Sequence, residues 1–126
     1  MSDAIAATVD RLKAAGLRAF DERPTQSPSG PYVIVESETP QDSPWRYDAD
    51  PEQDAITIRV MAVSRDTTIC RDTAKAADLA INNWRPHPDP STAAWRRFDG
   101  GPMLTDGPPS DIRHSLTTIY RAHVPR

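Results

Sequence analysis

A single cysteine, Cys70, stands in a chain of 126 residues. It excludes an internal disulfide and any zinc site built from several cysteines. No apolar run approaches the roughly 20 residues that span a bilayer, and residues 1–15 lack the basic start and apolar centre of a secretory signal. The expectation is a soluble, non-exported protein that meets no membrane. Glycine is scarce at five residues, and Gly100-Gly101 runs straight into Pro102, so no glycine-rich loop of the Walker or dinucleotide type is there to cradle a phosphate. Three histidines occur, His87, His114 and His123, none at a His-Glu-x-x-His spacing. His114 and His123 are an odd number of positions apart, which puts them on opposite faces of an extended strand. No metal and no other cofactor is expected. Ser115, with His114 and Asp111 nearby, has the residue types of a nucleophilic triad. Adjacent strand residues point to opposite faces, however, and no Gly-x-Ser-x-Gly turn presents the serine, so the chain is read as a non-enzyme. Lysine and arginine form no concentrated patch with interleaved aromatics, which sets aside specific nucleic-acid binding.

The elements that are present announce themselves by period. In residues 54–64, Ile56, Ile58, Val60 and Ala62 alternate with Thr57, Arg59, Met61 and Val63, the pattern of a strand with one face built for burial. Directly after it the period changes. Cys70, Ala74, Ala77, Ile81 and Trp84 are spaced four, three, four and three apart and form one stripe on an α-helix over residues 66–84, capped by Asp66 and stopped by Pro86, Pro88 and Pro90. On that stripe Cys70 reads as a small buried hydrophobe. A first helix over residues 4–15 presents Ile5, Val9 and Leu12 and ends at Gly16. Short strands follow at residues 17–20 and 31–37, the second with Tyr32, Val33, Ile34 and Val35 in a row and therefore buried on both sides. Residues 93–98 form a further candidate strand. Residues 112–124 alternate again, with Ile112, His114, Leu116, Thr118, Tyr120, Ala122 and Val124 on one face. The expected architecture is one α+β domain over residues 1–126: a mixed or antiparallel sheet of about four or five strands with two helices packed on it.

Charge is distributed unevenly along the chain. Residues 21–54 hold nine acids against two arginines, a net of −7, while residues 55–126 hold ten bases against seven acids, a net of +3. Only 37% of the residues are hydrophobic, so either the core is small or part of the burial comes from other subunits, and an assembly component is expected. The acidic segment is either a solvated loop or, in a ring of identical subunits, a surface that meets the basic surface of a neighbour near Arg96 and Arg97. The long polar connection over residues 38–53 carries Pro40, Pro44 and Pro51, together with Trp45 and Tyr47. Those two aromatics either pack on the domain's own sheet or anchor an interface.

The order of these pieces resembles the tail terminator (tail completion, or minor tail) proteins of long-tailed bacteriophages. The residues that carry the resemblance are Pro31-Tyr32-Val33-Ile34, the run from Ile58 through Ser64-Arg65, the helix holding Ala74, Ala76, Ala77 and Ala80, and the closing strand through Tyr120 and Arg121. Two features depart from the family pattern: the acidic loop is long, and Asp66-Thr67-Thr68 follows Ser64-Arg65 where relatives often have glycine. The resemblance implies a ring, usually a hexamer, that caps the tail tube, ends its polymerisation and offers a surface to the head-completion protein. It would be found at the head–tail junction of the virion, and in the host cytoplasm during assembly. A head-closure or other neck ring protein is the nearest alternative, and a small-ligand-binding module is the alternative from a different class.

Overall fold

A computed structural model describes residues 2–21, 30–37, 53–85 and 94–125. The elements are α1 (Ser2–Ala14), β1 (Ala19–Phe20), β2 (Tyr32–Ser37), β3 (Gln53–Ser64), α2 (Thr67–Ile81), β4 (Arg96–Gly100), β5 (Leu104–Asp106) and β6 (Arg113–Pro125). The fold is α+β, with a mixed sheet of six strands in the order β1-β2-β3-β6-β4, and with β5 also paired to β6. β1 runs parallel to β2, and the other pairings are antiparallel. The strand beyond the expected four or five is β5, whose three residues are too few to display an alternation.

Helix α1 ends as its sequence predicts. Gly16 takes φ +89°, its N–H donates to the carbonyl of Lys13 at 3.0 Å, and Leu17 N–H reaches back to Leu12 at 3.1 Å. This is a Schellman closure, and Leu17 packs against the same core that buries Leu12. Helix α2 starts where Asp66 leaves extended backbone and its carboxylate accepts the N–H of Ile69 at 3.0 Å. Its end differs from the sequence reading. The helix stops at Ile81: Asn82 turns to extended backbone, and Asn83 then adopts φ +68° with its N–H donating to the carbonyl of Trp95 at 2.7 Å. Asparagine tolerates this left-handed conformation, so the break precedes the prolines. Trp84 therefore leaves the helix, although it remains partly buried against the core.

Both helices pack on one face of the sheet. The register pairs Val33 with Ala62, Val35 with Val60 and Ile58 with Tyr120, which gathers these side chains on the helix side. Val9 and Leu12 of α1 and Ala77 and Ile81 of α2 close over them. Cys70 is fully buried, its thiol 3.5 Å from the carbonyls of Ala62 and His114, and burial pushes its pKa up. That environment suits an inert packing residue. The small side chain of Ala77, 2% exposed, lets α2 lie close to the sheet. Ala77→Leu is expected to cost about 1–3 kcal/mol through overpacking, read as a lower urea midpoint; a variant as stable as the parent would contradict the packing.

Trp95 contributes most to this core beyond what periodicity foretold. It precedes β4, is fully buried, and donates its indole N–H to the hydroxyl of Thr8 at 3.0 Å. Its backbone N–H also donates to Trp84 at 2.9 Å, so it ties the segment after α2 to α1.

Candidate functional site

Among the described residues no helix covers the second face of the sheet. Its side chains follow from the register: Phe20 on β1, Tyr32, Ile34 and Glu36 on β2, Arg59, Met61 and Val63 on β3, and Arg113 through Arg121 at every second position on β6. Tyr32, Ile34 and Val63 form a small buried cluster here, with Phe20 and Met61 against it. Phe20 meets Tyr32 edge to face, their centroids 6.1 Å apart. The consecutive apolar run of β2 is thereby explained: Val33 and Val35 belong to the main core, Tyr32 and Ile34 to this second one.

Charged groups surround the cluster. Arg59 pairs with Glu36 at 3.5 Å across two adjacent strands. One carboxylate oxygen of Asp111 accepts from Arg65 at 3.1 Å and from Arg113 at 3.2 Å, and the Arg113 guanidinium lies 5.9 Å from the centroid of the Tyr32 ring. The turn that brings Asp111 to this place depends on Gly107. It has φ +103°, and an added Cβ would sit 2.3 Å from the carbonyl oxygen of Asp111. Between this turn and the sheet lies a cleft of about 250 Å³, with Tyr32, Met61, Asp106 and Ser115 in its walls. The cleft opens to solvent and mixes polar with apolar walls, a form suited to holding a protruding side chain. Ser115 lines it, whereas its neighbour His114 points to the other side, where Nδ1 lies 3.0 Å from the hydroxyl of Thr105. The Ser115, His114 and Asp111 combination is thus not assembled. Among the described residues no group of three metal-ligating side chains converges, and none of the helices is long and apolar enough to cross a membrane.

The β4 edge is the other conspicuous surface. All five residues of β4 are exposed, and the ladder shifts register between Arg97 and Asp99. A bulge, two arginines and the following Gly100-Gly101-Pro102 blunt this edge against indiscriminate strand pairing. Arg97 reaches inward: its guanidinium is 3.5 Å from Asp78, whose other carboxylate oxygen accepts the Tyr120 hydroxyl at 2.6 Å. Arg96 donates to the side-chain oxygen of Asn83. Arg121 stacks on Phe98, with 3.8 Å from guanidinium carbon to ring centroid, and its Nε is buried without a hydrogen-bond partner. Phe98 itself is 58% exposed.

Of the four interface residues proposed from sequence, Arg96 and Arg97 stand side by side on this edge, while Trp45 and Tyr47 lie outside the described residues. Arg121, Phe98 and the Asp111 turn escaped the sequence reading. The alternation of β6 signalled where Arg121 would point, but only the pairing of β4 with β6 places Phe98 beneath its guanidinium. No protein-family model and no curated protein matches this chain.

Proposed function

We propose that the protein is a structural subunit that assembles into a ring, a hexamer by the resemblance, and caps a phage tail tube at the head–tail junction. The supporting observation is the sheet with both helices on one side. It leaves a second face of apolar and charged side chains, next to a blunted edge strand, that among the described residues no helix covers. A face of this kind is suited to packing on another folded surface, and a blunted edge favours contacts through side chains over strand addition. No catalysis belongs to this task. The chain's partners are then further copies of itself, the tail-tube subunit and a head-completion protein, and Trp45 and Tyr47 supply interface area from the acidic segment.

Electron microscopy of the purified protein, alone and with a tail-tube subunit from the same genome, tests the reading. A six-fold ring that seats on tube ends and halts their growth is expected. Tubes that elongate unchanged while the protein stays monomeric would overturn it. A ring that ignores tubes but binds portal-side proteins would favour the neck alternative. The open form of the Tyr32 cleft gives the small-ligand alternative no comparable support.

A further inference from the structure

The ladder of β4 with β6 sets Arg96 directly opposite Arg121. Directly opposed residues of an antiparallel pair lie on the same side with Cβ atoms about 5 Å apart, and like charges there repel. Nothing among the described residues neutralises this pair. Arg96 is met by the amide oxygen of Asn83 and Arg121 by the ring of Phe98, both uncharged, whereas Arg59, Arg65, Arg97 and Arg113 all have carboxylates. Stacking on Phe98 fixes the plane of the Arg121 guanidinium, so little side-chain entropy remains to be lost when a carboxylate docks on its edge. The arrangement is a preformed acceptor for acidic groups, bordered by an exposed aromatic ring.

We propose that the Arg96–Arg121 pair with Phe98 is the docking point for carboxylates of a second copy of this chain, supplied by its acidic segment around Asp48, Asp50 and Glu52. Charge complementarity selects this occupant: residues 21–54 carry a net charge of −7, and the acceptor sits in the basic part of the chain. Acceptor and acidic segment are different surfaces, so the contact is head to tail and propagates from copy to copy, as a ring requires. The proposal rests on the ring reading and adds the contact that would close it.

Three variants decide the matter, each first checked by circular dichroism for a parental spectrum. Arg96→Glu with Arg121→Glu removes the acceptor; Arg96→Glu alone, at an exposed site, serves if the double change disturbs the sheet. Asp48→Asn with Asp50→Asn and Glu52→Gln removes the docking carboxylates without creating a charge that could pair with the new glutamates. By light scattering and sedimentation, self-association of either variant is expected to weaken by about tenfold or more relative to the parent, as loss of close charge pairs does. The parent itself is expected to dissociate as salt rises and the screening length falls from ~10 Å at 0.1 M to ~3 Å at 1 M. Mixing the two variants is expected to give a 1:1 heterodimer that grows no further, since each retains one intact half of the contact. Self-association of the Arg96→Glu protein equal to the parent's, or an absence of heterodimer on mixing, would overturn the proposal. A parent that forms salt-sensitive open chains and never caps tubes, with the heterodimer still forming, would sink the terminator reading and leave this contact standing.

Discussion

A Trp95→Ala variant is expected to lose about 3–5 kcal/mol of unfolding free energy, the range for removing a large buried aromatic. Trp95 is the largest fully buried side chain among the described residues, and it touches a core to which α1, α2 and the sheet all contribute. Its removal leaves a cavity that the facing elements cannot easily fill, since the sheet is held by ladders on both sides of β3. Thr8, buried in the middle of α1, also loses the indole donor. Domains of this size have a total stability of about 5–15 kcal/mol, so the loss would take about a fifth or more of it. Trp95→Phe separates the two contributions: it keeps most of the volume and forfeits the hydrogen bond, for about 0.5–1.5 kcal/mol from that bond. Urea unfolding followed by far-UV circular dichroism measures both. A Trp95→Ala midpoint equal to the parent's would show that the segment before β4 does not belong to the core.

Tyr120 should give an effect of similar size with a pH signature. It is 1% exposed at the centre of the helix-side core, and its hydroxyl donates to Asp78 at 2.6 Å. Tyr120→Ala is expected to cost about 3–5 kcal/mol, and Tyr120→Phe about 1.5–3 kcal/mol, the range for a hydrogen bond to a charged group. Burial first, and then the hydrogen bond and negative charge of Asp78, push the phenol well above its ordinary range. The sign follows from proton binding. An unfolded tyrosine releases its proton near pH 10, while Tyr120 in the fold retains it, so the folded state binds more protons and stability falls as pH rises beyond that point. The stabilisation is fully present below pH ~10. Unfolding free energies from pH 8 to 11.5 should therefore decline more steeply above about pH 10 in the parent than in Tyr120→Phe. Parallel curves would mean that Tyr120 ionises as freely in the fold as in the unfolded chain.

The sequence by itself determined the elements whose signal is local. The alternation of Ile58, Val60 and Ala62, the stripe of Cys70, Ala77 and Ile81, the Asp66 cap and the Gly16 stop each require only a few consecutive residues, and the structure puts each where its pattern indicated. The consecutive apolar run Tyr32 to Val35 of β2 is legible for the same reason: two-sided burial is what that composition serves. What tertiary structure alone decided has no local signal. Trp95 lies in a short segment without periodicity and is buried because β6 brings β4 back beside α1 and α2. The end of α2 was settled by the extended Asn82 and the left-handed Asn83 after it, whose N–H is satisfied by the distant Trp95 carbonyl. Arg96 and Arg121 are 25 positions apart in the chain and become opposed only through the register of one ladder. Periodicity tells which way a side chain points; which groups then meet depends on strand pairing, and pairing is the choice of the whole sheet, made by the sum of the cores on its two faces.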